Sequence, residues 1–277
     1  MASPYDGRGS GLLLGLTDFR RRMCAAFSSN LLDGRKASAT SRLIVVDAVR
    51  GCAITGVVLF HLVWDLDLYG SVPTGLATHP AWIAFGRTLA ATFMALVGVG
   101  LVLAHRRGFR IRGFAKRVFA IAVAALTVTG ATFLFVPDAF VYFGILHAIV
   151  VASLLGALLL GLDSASLAQL GIFVILAGIM SSFDAFNAPW LAWIGFSSSA
   201  PPSLDFVPVF PWFGVTLLGM SAAKQGAVHA LERTFRKFRK AHFVRRLCQA
   251  GRHSLAIYLA HQPVILGAIE LARILEL

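Results

Sequence analysis

Four acidic or basic side chains share the first long apolar run of this 277-residue chain: Asp47, Arg50, His61 and Asp65. A charged group at mid-bilayer depth costs about 2.5–3.5 kcal/mol even on a lenient scale, so residues of this kind in an apolar run call for a reason. Arg50 and His61 are eleven residues apart, about three helical turns, which places them on one face roughly 16 Å apart by helical rise. His61 and Asp65 stand at i, i+4, within side-chain reach. A carboxylate beside an imidazole can orient a general base. One helix face would therefore carry a cation toward one end and a base toward the other. In the plainer reading, Asp47 and Arg50 pair near the membrane interface and His61 is a hydrogen-bonded core histidine.

Other polar residues in apolar surroundings widen the set. His147 and His261 lie inside later apolar runs, and His79 lies in the loop after the first. Ser254, Tyr258, His261 and Gln262 form a polar stripe at helical spacing, followed by Pro263, which favours a kink. For His147 and His261, structural hydrogen bonding is the competing reading. Arg87 needs an anion, with Asp65, Asp205 or a substrate as candidates. No metal is expected, because the histidines show no ligand spacing such as HExxH. A GxSxG elbow and a P-loop are also missing from the sequence.

These residues must be positioned by membrane helices. The chain is 57% hydrophobic and only 14% charged, with a mean hydropathy of +0.77, where soluble domains carry about 25% charged residues. The fold class expected is all-α: a polytopic helix bundle of about seven transmembrane helices, N-terminus in and C-terminus out. The spans read as about 43–64, 82–104, 114–135, 140–161, 167–183, 207–223 and 252–274, the fifth being the shortest. Residues 1–41 read as a partly disordered cytoplasmic tail, and 42–277 as the membrane domain.

The net charge of +12 does not indicate nucleic-acid binding, because of where the charge lies. No Lys or Arg occurs between Arg117 and Lys224, and the basic residues gather in blocks that flank apolar runs. Cytoplasmic loops of membrane proteins have that pattern. Trp64, Trp82, Trp190, Trp193 and Trp212 fall at or near the expected outer ends, where indoles favour the interface. Residues 229–247 carry apolar residues at roughly helical spacing among seven Lys or Arg. That suits a helix lying on the inner membrane surface; gripping the phosphates of a cytoplasmic ligand is the alternative. The three cysteines, Cys24, Cys52 and Cys248, are not placed for an external disulfide.

The segment from Arg42 to Asp65, RLIVVDAVRGCAITGVVLFHLVWD, resembles the first span of bacterial membrane proteins related to the catalytic domain of heparan-alpha-glucosaminide N-acetyltransferase. Further matching motifs are His105-Arg106-Arg107-Gly108, Phe143-Gly144-Ile145-Leu146-His147, the stretch from Asp205 to Trp212, and Gly251-Arg252-His253-Ser254-Leu255 running to Tyr258, His261 and Gln262. The likeness covers about residues 42 to 270. The Asp-x-x-Arg-Gly opening, with a histidine eleven residues after the arginine, also looks like the wider group of membrane acyltransferases.

The resemblance implies a transmembrane acyltransferase in the bacterial inner membrane. Such an enzyme moves an acyl group, acetyl in the first instance, from cytoplasmic acyl-CoA to a sugar or other acceptor outside. By the match, His61 is the essential histidine and Arg50 the motif arginine. In the lysosomal enzyme the position like His61 is an asparagine, and the catalytic histidine lies in the next luminal loop; His79 is its counterpart here. The catalytic set expected is therefore His61, Asp65, His147, His261 and His79. Acyl-CoA would be held by Arg50 and by the loop residues Arg106, Arg107 and Arg110. The expected partners are membrane lipid, acyl-CoA and a carbohydrate acceptor, with homo-oligomerisation open. A small-solute transporter and a non-catalytic membrane subunit are the rival readings. A cleft joining the Arg50 and His61 levels is required by the first reading and not by the last.

Overall fold

The computed structural model describes residues 43–72 and 75–275. The expected tail, residues 1–41, lies outside them. The described residues belong to a unit spanning Leu43–Leu277 and are helical, joined by turns and two isolated bridges. Four helices are long and apolar enough to cross a membrane. They are α1 (Ile44–Leu68), α2 (Pro80–His105), α3 (Ile111–Phe135) and, at the end of the chain, α9 (Ser254–Ile274).

Three shorter helices occupy the places expected for spans four to six: α4 (Ile145–Leu158), α5 (Ser164–Met180) and α6 (Val209–Lys224). α4 has 14 residues, about 21 Å of rise against a hydrocarbon core of about 30 Å. It is shorter than the expected 140–161 for a physical reason. Gly144 is extended, and the carboxylate of Asp205 occupies the space behind it, so the helix begins only at Ile145. α5 starts cleanly because Asp163 caps it, accepting from the Ala165 and Ser166 backbone N–H groups. The prolines before and within α6 give the irregular start expected there, with Phe210 non-helical.

Two amphipathic helices, α7 (Ala227–Phe235) and α8 (His242–Arg252), form the basic linker. They are bound to the start of α1. The buried carboxylate of Glu232 accepts from the Val45 N–H at 2.9 Å, filling a helix N-terminus that would otherwise be unpaired. The opposite faces of the linker leave Leu231, Phe238 and Phe243 exposed among its Lys and Arg.

α6 lies at the centre of the packing, with Thr216, Leu217 and Met220 wholly buried. Close helix approach there depends on missing side chains. A Cβ on Gly98 of α2 would lie 2.0 Å from the Thr216 carbonyl oxygen, and one on Gly219 would lie 2.2 Å from that of Ala95. This is the small-residue packing by which membrane helices associate. α3 instead turns Phe119, Leu126, Leu134 and Phe135 outward, 66–84% exposed. An apolar face that extensive is suited to lipid.

Candidate functional site

The motif Asp47-x-x-Arg50-Gly51 takes its form from the crossing of α1 and α8. A Cβ on Gly51 would stand 1.9 Å from the Leu247 carbonyl oxygen, and one on Gly251 would stand 2.0 Å from that of Asp47. Only glycine lets these backbones meet. At the crossing Asp47 accepts from Arg252 Nε at 3.2 Å and from Arg50 at 3.5 Å. The expected Asp47–Arg50 pairing is thus present, with Arg252 as a further partner. Arg117 of α3 comes within electrostatic reach of Arg50. Three arginines from three helices therefore gather at the basic end of the bundle.

From this cluster a cavity of about 790 Å³ runs through the bundle to the far half of α1. Arg50, Arg117 and Arg252 line one part; His61, Arg87 and Asp205 line another. Much of the wall between is aliphatic and aromatic, including Ile54, Leu89, Phe93 and Ile149. The volume falls in the range of small-molecule sites.

His61 reaches the cavity with a defined tautomer. Its Nδ1 is 3.0 Å from the Val57 carbonyl oxygen, one turn back. A carbonyl only accepts, so Nδ1 carries the proton and the neutral ring keeps a lone pair on Nε2. This differs from the expectation that Asp65 orients His61. Among the described residues, Asp65 is hydrogen-bonded not to His61 but to Gln262, whose Nε2 lies 3.2 and 3.1 Å from the two carboxylate oxygens. The spacing put Asp65 within reach of His61, but α9 supplied a better donor.

His261 stands beside His61, the ring centroids 4.7 Å apart and edge-on. Its Nδ1 donates to the Tyr258 carbonyl at 2.6 Å, and its buried Nε2 meets no hydrogen-bond partner among the described residues. α9 continues through Pro263 to Ile274, which keeps Tyr258, His261 and Gln262 on one element.

Two expected histidines are placed elsewhere. His147 accepts from the Gly144 N–H through Nδ1 and lies 3.3 Å from Thr129 Oγ1 through Nε2; it closes the start of α4 and does not line the cavity. Exposed His79 caps α2, accepting from the Ala81 N–H. The basic loop is set apart from this cavity. Arg106 bonds to His229 and lines a separate cavity of about 560 Å³ with His105 and Lys224. Arg107 and Arg110 line neither cavity.

The model of the heparan-alpha-glucosaminide N-acetyltransferase catalytic domain matches residues 42–263. The chain belongs to that family. No curated protein and no solved structure matches it.

In this family member the separate motifs become parts of one construction. Phe143 and Phe206 form a parallel bridge, with the Val207 N–H donating to the Phe143 carbonyl. This brings Asp205 to the start of α4, where it accepts from the Ile145 N–H at 2.8 Å, a favourable place for an anion. The Tyr258 hydroxyl donates to the same oxygen at 3.3 Å. Burial pushes the Asp205 carboxyl up from its ordinary range, and these two donors draw it back. A Cβ at Gly144 would be 2.4 Å from that oxygen, which explains the glycine.

Sequence reasoning missed Arg117 and Arg252 as site residues. Arg117 lies inside the expected third span, and that position is the available signal; the basic blocks that flank apolar runs, with the pattern of cytoplasmic loops, include it. For Arg252 the sequence carried no cue beyond its place in a motif. Among the described residues no group of three or more His, Cys, Asp or Glu side chains gathers as a metal set.

Proposed function

We propose that this protein is a transmembrane acyltransferase. It takes an acyl group from acyl-CoA at the cytoplasmic, basic end of the bundle and gives it to an acceptor at the opposite end. The observation that carries the reading is the single cavity joining the Arg50–Arg117–Arg252 cluster to His61. Family membership supports the reaction class. The basic end is assigned to the cytoplasm because Lys and Arg favour that side, and the compartment proposed is the bacterial inner membrane.

The chemistry follows from the groups present. Phosphates of the donor would meet the three arginines, whose guanidinium groups suit phosphate oxygens. The apolar waist would take the pantetheine arm and lead the thioester toward His61. His61 Nε2 would remove the proton from an acceptor hydroxyl or amine as its oxygen or nitrogen attacks the thioester carbonyl. The carbon–sulfur bond breaks, and the CoA thiolate recovers a proton. The same Nε2 lone pair would serve a two-step route through acyl-histidine. Asp65 supports this site indirectly: it holds Gln262 next to His261, whose ring lies against His61.

The test is turnover of radiolabelled acetyl-CoA by purified protein with a panel of envelope glycans. His61→Ala should abolish transfer while leaving folding and CoA affinity largely unchanged. A folded His61→Ala protein with wild-type turnover would remove His61 from the mechanism. If the wild-type protein transfers to no acceptor and does not bind CoA, the acyltransferase reading itself fails.

A further inference from the structure

Arg87 is a cation in a long apolar helix that the mechanism above does not use. It lies seven residues into α2 from Pro80, and His61 lies seven residues before the end of α1 at Leu68. With a rise of about 1.5 Å per residue, both stand about 10 Å from the same end of the bundle. Packing confirms the shared level. Phe60 lies against Gly86, where a Cβ would come 2.7 Å from the ring, and Phe60 also stacks on Trp82 at 5.8 Å. Arg87 and His61 are the residues that follow this pair, and both line the cavity.

Among the described residues Arg87 has no carboxylate partner. Three acids at this end are engaged elsewhere. Asp65 accepts from Gln262; Asp67 accepts from the backbone N–H groups of Gly75 and Ala77; Asp205 accepts from Ile145 and Tyr258. Trp64, Phe206 and Trp212 line the same cavity. A guanidinium that lines a cavity with indole and phenyl rings in its walls, and that has no carboxylate partner among the described residues, is a receptor for an anionic group on a molecule that also carries a flat apolar face.

We infer that Arg87 selects an acceptor bearing an anionic group — a sugar with a carboxylate, phosphate or sulfate — and holds it with its nucleophile toward His61. The inference rests on the acyltransferase reading for the reaction, but not for the binding. Arg87 is on this account a specificity residue, recognising the charge that accompanies the reacting hydroxyl or amine.

The experiment pairs neutral and charged sugars, glucose with glucuronic acid and glucosamine with glucosamine 6-phosphate. Each is measured as acceptor by steady-state kinetics and as ligand by calorimetry, on wild type, Arg87→Ala and Arg87→Lys. A lost charge-assisted contact should raise KM for the charged member about tenfold to a hundredfold. It should leave kcat, and the values for the neutral member, nearly unchanged. Arg87→Lys should restore part of the preference, and higher salt should weaken it. Equal loss for neutral and charged sugars, or a loss confined to kcat, would overturn the proposal by moving Arg87 to the reacting oxygen. A wild-type protein that binds neither charged sugar above its neutral counterpart would also overturn it. Calorimetry separates the two readings: charge-selective binding lost in Arg87→Ala without any acyl transfer would sustain this inference while the acyltransferase assignment failed.

Discussion

At the level of single residues, the question is which polar groups touch the cavity. His61 does, with Nε2 available because Val57 holds Nδ1. Asp65 does not act on His61 directly, so Asp65→Asn should be milder than His61→Ala. Its carboxamide can still accept from Gln262, although without charge. Single-turnover rates should therefore order wild type, Asp65→Asn, His61→Ala, and an Asp65→Asn protein as inactive as His61→Ala would contradict the geometry. The donor end yields a second comparison. Arg117→Ala and Arg252→Ala should each weaken CoA binding, by about tenfold if one charge-assisted contact is lost. Arg107→Ala and Arg110→Ala should leave it near wild type, since those residues line neither cavity. Arg252→Ala also removes a partner of Asp47, so its thermal stability must be measured beside its affinity. CoA affinity that falls only in the Arg107 and Arg110 variants would return the donor to the basic loop.

At the level of elements, the crossing of α1 and α8 decides whether the arginine cluster forms. Gly51 and Gly251 leave about 2 Å between a would-be Cβ and a facing carbonyl oxygen, a distance no side chain tolerates without moving the backbone. Gly51→Ala and Gly251→Ala should each destabilise the protein by about 1–3 kcal/mol, the usual cost of forced overpacking. Thermal unfolding in detergent reads this directly. The same change at Gly113, which has open space around it, is the matched control and should be near neutral. If Gly51→Ala unfolds at the control temperature, the close crossing is not present in solution. The linker contributes a second fixation through Glu232 and Val45. The apolar spacing of residues 229–247 does not disclose this buried carboxylate, because it is set by what α1 presents to the linker.

At the scale of the molecule, the bundle combines four helices of spanning length with three shorter ones. Seven crossings with the N-terminus inside require the shorter helices to reach both interfaces with help from the extended segments at their ends. Reporter fusions test this. Fusions after Ser71 and after Phe196 should report the outside, and one after Gln225 the cytoplasm. A cytoplasmic report after Phe196 would remove a crossing between α4 and α6 and reassign the sides of the cavity.

The sequence by itself determined the helical class, the place of the long apolar helices and the family. These follow from hydropathy, charge position and motif spacing, which are properties along the chain. It also singled out Arg50 and His61, because one helix carries both and helical periodicity fixes their common face. What only the tertiary structure decided was which groups meet across helices. Asp65 went to Gln262, nearly two hundred residues away, because a donor on α9 approached it more favourably than the imidazole one turn back. His147 and His79 became parts of helix starts because backbone N–H groups there needed acceptors. Arg117 and Arg252 joined Arg50 because glycines let α8 press against α1 while α3 stands near. Helical periodicity orients a side chain about its own axis, but the neighbour it meets is set by how the helices pack, and spacing along one segment does not encode that packing.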